Sequence, residues 1–327
     1  MNIYFNLINI IVILQLIHSF GFKPAWRKTS LIYRNRSLNQ ITMTSFSSEI
    51  SNNNNNNNND YPILYYESVD STMNQARSLI TTKDKVIEND YFIIIANEQT
   101  AGRGTRGRSW NSNIGNLYMT ICLKTSLIKI PLQLTPLRIG NIIRPIIEDQ
   151  VSTTIKDKVK LKWPNDVLID SKKVSGVLIE MERDYCLIGI GCNILLAPFI
   201  SSVGPDSGRP ATCIAEYYKN NMNETETESE SETEKSAINN ENAISLAREI
   251  GIQIGNTVFD WSFNNHNDSA ENIVSEFTNQ MEFTPQRLRG APQEGEVMPV
   301  CVNADGTLKV EVVTTGTRRD LTTDYLF

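Results

Sequence analysis

From residue 61 onward the chain alternates between two hydrophobic periods. Short runs of β-branched and aromatic residues read as strands at 62–68 (PILYYES), 90–98 (DYFIIIANE) and 115–124 (GNLYMTICLK). Residues 159–181, VKLKWPNDVLIDSKKVSGVLIEM, read as strand, turn, strand, a tight turn at Asp170-Ser171-Lys172, and strand. The run 185–194, YCLIGIGCNI, is the natural antiparallel neighbour of VSGVLIEM. Three-to-four spacing predicts helices at 71–80, opened by a hydroxyl cap, and at 214–219, 243–263 and 270–281. A further helix enters at Pro136 and is expected to kink or break before Pro145. Hairpin-linked strands with helices in separate groups predict an α+β fold with a mixed, mostly antiparallel sheet. After 285 the texture changes to three short strands with a hairpin signal at Asp305-Gly306. Residues 286–327 are therefore expected to form a small β cap, an SH3-like barrel.

The first 60 residues have a different composition. Positions 3–17 are mostly apolar but short for a membrane span. Lys23, Arg27, Lys28, Arg34 and Arg36 follow among many hydroxyls, with no acid before Glu49. Together these resemble a bipartite plastid-directing leader; a mitochondrial presequence is the alternative, and Met43 is an in-frame start for a cytosolic form. Asparagines 52–59 form a linker, so folded sequence is expected to begin near Tyr61 and the main unit to span 61–285. Within it, NETETESESETEK at 223–235 has nothing to bury, and 221–242 reads as a disordered acidic insertion.

The formal charge of −6 argues against a general nucleic-acid binder. The five cysteines are odd in number and form no C-x-x-C pair, so they read as buried reduced thiols. Only His18 and His266 are present, which disfavours histidine-based nucleophiles and multi-histidine metal sites.

Three segments carry chemistry. EQTAGRGTRGRSW, at 98–110, fits a dinucleotide fingerprint (Gly102-x-Gly104-x-x-Gly107), a phosphate loop with arginine in place of lysine, and a plain glycine-rich basic turn. The first two need a helix directly afterwards, and SWNSNIGN has no helical period. What remains is a loop whose amides and guanidiniums (Arg103, Arg106, Arg108) close over an anion, against the alternative of a solvated basic turn. LKWPNDVLID places Lys162 and Asp166 in apolar sequence on either side of a turn, suiting a point charge for an anion and a proton acceptor or magnesium contact, or else a surface ion pair. In GIGCN, Gly189 and Gly191 permit close approach of a flat ligand, or mark a bulge.

Together and in this order, DSTMNQA, NEQTAGRGTRGRSWNSNIGNLY, LKWPNDVLIDSKKVSGVLIEM and IGIGCNI resemble the biotin protein ligase family, over most of 61–285. The resemblance implies a class II aminoacyl-tRNA synthetase/biotin synthetase-like catalytic domain using ATP, biotin and Mg2+. Biotin would condense with ATP to biotinyl-5′-AMP, then pass to a lysine of a biotin carboxyl carrier domain, as in acetyl-CoA carboxylase. No DNA partner and no membrane association after leader removal are implied, and monomer and homodimer stay open. Lys162, Arg103 and Asp166 would be catalytic, with Asp166 a base or a Mg2+ contact. Biotin would be held by Ser71, Thr72, Met73, Gln99, Gly102, Arg103, Gly104, Thr105, Lys162, Gly176, Gly189 and Gly191. The nucleotide would meet Arg103, Arg106, Gly107, Trp110, Asn165, Lys173 and Asn193. Two positions depart from the family pattern. Met73 replaces an asparagine, whose contact is lost or shifted to Asn74, and Thr105 replaces a loop arginine. The rival readings are a lipoate or octanoate transferase of the same fold, a non-catalytic binder, and an NAD enzyme resting on the glycine pattern alone.

Overall fold

The computed structural model describes residues 31–34, 41–44, 61–82, 89–200, 208–219, 238–264, 268–288 and 295–322. The apolar leader, the asparagine run, most of the acidic insertion and His266 lie outside the described residues. Strands β1 (Leu31–Arg34), β2 (Ile41–Thr44), β3 (Ile63–Val69), β4 (Tyr91–Gln99), β5 (Leu117–Lys124), β6 (Val159–Lys162), β7 (Asp166–Ile169), β8 (Lys172–Glu182) and β9 (Tyr185–Cys192) form one sheet. Its order is β2-β1-β3-β4-β5-β9-β8-β7-β6. Only β1–β3 and β3–β4 pair in parallel; the other neighbours are antiparallel. The α+β expectation therefore holds at the level of a large mixed sheet with helices. The expected start near Tyr61 is corrected, because β1 and β2 precede it and extend the β3 edge.

Four α-helices are described: α1 (Thr72–Thr82), α2 (Thr135–Glu148), α3 (Asn240–Phe263) and α4 (Ala270–Gln280). Alternation along β4 sends Tyr91, Ile93 and Ile95 into a large core beneath α2, α3 and α4. Phe92, Ile94 and Ala96 point the other way, into a smaller cluster with Met73, Ala76, Leu79 and Ile80 of α1. α3 is drawn close to β4: the Tyr91 hydroxyl donates to Gly255 O at 2.7 Å, and Tyr61 donates to Asn256 Oδ1 at 2.6 Å.

Two helix expectations are corrected for visible reasons. Of the kink or break expected before Pro145, the break does not occur: α2 runs through the proline. The proline lies in the last turn, and a buried isoleucine face (Ile139, Ile142, Ile143, Ile146, Ile147) holds the helix to the core. The segment expected as a helix at 214–219 is a single 3₁₀ turn, Ile214–Tyr217. Its backbone is sewn to neighbouring connecting segments instead: Ile214 N donates to Asn193 O, Ala215 N to Ile194 O and Lys219 N to Gln150 O.

β10 (Gln286–Arg287), β11 (Glu296–Val302), β12 (Leu308–Val312) and β13 (Arg318–Leu321) form a separate antiparallel sheet in that order. It is small and four-stranded among the described residues, a coarser outcome than the barrel expected. It docks on α4 and reaches the main sheet through its β11–β12 turn, where Gly306 O accepts from Trp163 Nε1 at 2.9 Å. The free cysteines agree with the reduced-thiol reading: Cys122, Cys186, Cys192 and Cys213 are buried, and burial pushes the Cys186 and Cys213 thiols up to about 11.

Phe277 is fully buried against Gly140 of α2. Phe277→Ala is expected to lower the unfolding free energy by about 3–5 kcal/mol in equilibrium denaturation; a loss below about 1 kcal/mol would show that the α2–α4 seam is not part of the cooperative core.

Candidate functional site

Strand register gathers the candidate residues. Lys162 pairs with Asp166 across β6–β7, Asp166 with Gly176 across β7–β8, Gly176 with Gly191 across β8–β9, and Gly191 with Tyr118 across β9–β5. Directly paired residues share a sheet face, so positions scattered over 74 residues (Tyr118 to Gly191) become one row. This is the α1 side, opposite the large core that takes Leu161, Val167 and Val177.

The charged end of the row is buried. Lys162 is 3 % and Asp166 4 % exposed. Lys173 Nζ lies 2.6 Å from Asp166 Oδ1, and Lys162 Nζ lies 4.0 Å from Asp166 Oδ2. Burial pushes Lys162 down to about 8; Asp166 opposes this, and Arg209, Lys173 and Arg108 add to it. Arg209, which the sequence gave no cue for, is paired to the buried Glu282 at 2.5 Å and donates to Ser171 O.

The glycines form a floor that side chains press against. A Cβ on Gly191 would meet the Trp110 ring at 2.5 Å, and one on Gly176 would meet Lys173 Nζ at 2.9 Å and the Trp110 ring at 3.1 Å. A Cβ on Gly189 would lie 2.9 Å from Met73 Sδ. Close approach, not a bulge, is thus what these glycines serve: β8–β9 pairing is continuous through Gly176, Gly189 and Gly191. The flat group lying over Gly176 and Gly191 in this structure is the Trp110 indole, with Lys173 Nζ 5.1 Å from its centroid. Trp110 Nε1 is buried without a hydrogen-bond partner.

The arginine–glycine segment is a short hairpin. Trp110 N donates to Gly102 O, Gly104 N donates to Arg108 O, and Thr105–Gly107 forms a single 3₁₀ turn with Gly107 at φ +73°. It runs through extended chain into β5, so neither helix-based reading applies. Gly102 is required where the hairpin legs meet, since a Cβ there would come within 2.5 Å of Trp110 O and collide with Ser112 Oγ. Arg103 Nη2 reaches Glu180 at 3.1 Å, while its Nε is buried without a hydrogen-bond partner. Arg108 folds back on Thr105, donating from Nη2 to Oγ1 at 2.9 Å. Gly104 and Gly107 have open or ordinary surroundings. The backbone of Arg106 lies in the 3₁₀ turn.

Several expected ligand contacts also have protein partners. Gln99 Oε1 accepts from Thr72 N at 2.9 Å and Thr72 Oγ1 at 3.2 Å, and its Nε2 donates to Ser112 Oγ at 2.9 Å. Thr120 Oγ1, which the sequence reading missed, donates to Thr72 Oγ1 at 2.9 Å. Asn165 Nδ2 donates to Val177 O at 2.6 Å, and Asn193 Nδ2 donates to Thr212 O at 3.0 Å, so both amides stitch the scaffold. Asn74 does not inherit a contact at Met73; it faces solvent and donates to Asp70 Oδ2 at 2.8 Å. The expected hydroxyl cap on α1 is also corrected. Asp70 Oδ1 binds Ser71 N and Gln99 binds Thr72 N, which leaves the buried Ser71 Oγ without a hydrogen-bond partner. A buried hydroxyl with unmet capacity at a helix N-terminus is suited to a polar ligand atom.

With this geometry in place, the comparisons with known proteins show what the chain is similar to. Residues 65–193 match the biotin/lipoate A/B protein ligase family model. The matched segment contains the row, the hairpin and the start of α1. A bifunctional ligase/repressor of Bacillus spizizenii is 31 % identical over 138 residues, covering 40 % of each chain. A biotin–[acetyl-CoA-carboxylase] ligase of Mycobacterium tuberculosis is 30 % identical over 125 residues, 36 % of this chain and 44 % of that one. The chain thus spans about two fifths of the length of these curated relatives. In the solved structures, a Leishmania major biotin protein ligase in complex with biotin is 28 % identical with a TM-score of 0.50, covering 80 % of this chain and 98 % of that one.

Gly191→Ala is expected to push the indole off the glycine floor. The Trp110 indole N–H resonance, assigned through Trp110→Phe, should shift and exchange faster with water. An unchanged resonance would mean the glycine is not what seats the ring.

Proposed function

We propose that the protein is an ATP-dependent biotin–protein ligase acting on the lysine of a biotin carboxyl carrier domain. The observation that carries this reading is the meeting of Lys162, Asp166, Lys173 and an arginine hairpin over a glycine floor, beside the unsatisfied Ser71 hydroxyl. In the first half-reaction a carboxylate oxygen of biotin attacks the α-phosphorus of ATP, and the bond to the bridging oxygen breaks to release pyrophosphate. Two anions must approach, and cations offset their repulsion. Lys173, with a side chain 22 % exposed, is the more accessible ammonium; Lys162 supplies a buried charge behind it. Arg103 supplies a third from the hairpin.

In the second half-reaction the acceptor amine attacks the anhydride carbonyl, AMP leaves, and the amine loses a proton. Asp166 serves first as counter-charge to the two lysines and is the carboxylate on the row placed to take that proton. Its engagement by two ammonium groups does not fit a magnesium site of the protein's own, and no group of three metal-binding side chains occurs among the described residues. Magnesium is therefore read as travelling with the nucleotide substrate. Ser71 hydrogen-bonds biotin, and Gln99 and Thr72 hold the start of α1 in position. The small sheet is read as an SH3-like cap on the ligase domain, and the residues before β1 as a plastid-directing leader.

Incubation with ATP, magnesium, biotin and a carrier domain should add one biotinyl group to the carrier, read by mass spectrometry. Pyrophosphate release should require biotin. Lys162→Met and Lys173→Met should each slow it by about 10²-fold or more. Carrier labelled with lipoate or octanoate, and not with biotin, would replace this reading with the other activity of the family.

The pH profile tests Lys162 separately. Its ammonium form offsets anionic charge and is lost as pH rises through about 8, so kcat/KM for pyrophosphate release should fall above that pH. A rate that stays flat between about pH 7 and 10 would remove Lys162 from the reaction.

A further inference from the structure

Glu180 lies on β8 and has no part in the reaction above, yet it is the most heavily engaged carboxylate near the hairpin. Its Oε2 receives Arg77 Nη2 of α1 at 2.6 Å and Arg103 Nη2 of the hairpin at 3.1 Å. Arg77 Nε also reaches Glu182 Oε2 at 3.2 Å. One oxygen therefore ties the hairpin to the sheet and to the helix that presents Ser71 and Thr72. The backbone bonds Gly104–Arg108 and Trp110–Gly102 are internal to the hairpin, closing it on itself without fixing it to the sheet. Arg103–Glu180 crosses to β8.

We propose that Glu180 is a positioning residue that latches the arginine hairpin over the site through Arg103, so that the activated acyl adenylate is retained until the carrier lysine arrives. The proposal rests on the ligase reading for its consequence and on geometry alone for the latch. A mixed anhydride that escapes acylates any exposed amine, so retention determines whether biotin reaches the carrier or bystander proteins. A single exposed ion pair would achieve little, because screening and side-chain entropy offset its attraction. Here two guanidiniums share a carboxylate whose side chain is only 24 % exposed, and Arg77 is itself braced by Glu182. Glu180→Gln keeps the shape and removes the charge.

The test uses the full-length protein. Without ligands, the amides of Gly104 and Trp110 in Glu180→Gln should exchange about ten-fold faster than in wild type, while those of Ile93 and Ile95 keep their protection and report an intact sheet. In the wild type, raising salt from about 0.05 to about 0.5 M should speed the same two amides. With ATP, magnesium and biotin, labelling of serum albumin relative to carrier domain should rise about five-fold or more in Glu180→Gln. Unchanged hairpin exchange in Glu180→Gln and at high salt, or an unchanged albumin-to-carrier ratio in an active variant, would overturn the latch. A wild type that releases no biotin-dependent pyrophosphate would overturn the ligase reading, and the exchange measurement would still judge the latch.

Discussion

Antiparallel register is the constraint from which the site follows. Adjacent strands lie about 4.8 Å apart, so the row Lys162–Asp166–Gly176–Gly191 sets charge, counter-charge and floor at the spacing of neighbouring strands. A one-residue slip of β7 would turn Asp166 toward the helical core and bring Val167 to the charged face. That slip is opposed from the other side, where Val167, Ile169 and Val177 are buried with α2. The tight turn with Asp170 and Ser171 both at positive φ fixes the β7–β8 connection. The apolar face thus sets the register that aligns the polar one.

The row also explains why the glycines are needed. Large residues cross above it from outside: Trp110 from the hairpin, Met73 from α1 and Lys173 from β8 itself. Any Cβ on the floor would lift them, separating the hairpin from the cations beneath. The cost of the arrangement falls on Lys162, whose charge is disfavoured by burial and sustained by Asp166. Trp163, next to Lys162, is anchored to the small sheet through Gly306, so the second sheet braces the turn bearing the buried lysine.

Much of this was legible in the sequence because it depends on local rules. Period-two runs gave β4, β5 and β7–β9, and the turn at Asp170 and Ser171 followed from residue type. The hairpin was separated from a phosphate loop by the lack of helical period after Trp110. What escaped notice depends on long-range pairing. Gln99, Asn165 and Asn193 came from the family resemblance, and only the fold shows their protein partners, Thr72, Val177 O and Thr212 O. Thr120, Arg209 and Glu180 had no local signature, since their partners lie 48, 73 and 77 residues away. Pro145 misled because a breaker rule was applied without the buried face that overrides it.

The hairpin differs physically from the helix-based anion sites it imitates in sequence. A helix N-terminus offers fixed partial charge of about half a unit from aligned peptides, immobile on its scaffold. Guanidiniums on a short hairpin offer full charges on a segment whose legs meet at Gly102. A fixed cradle suits a phosphate that stays bound throughout. A chemistry that admits two anions, expels pyrophosphate and then exposes an anhydride to a protein lysine favours charge that can be brought in and withdrawn. Lys162 is buried at the row and Arg103 sits on the hairpin, paired with the half-buried Glu180, so one cation is fixed in the sheet and the other is carried by the hairpin.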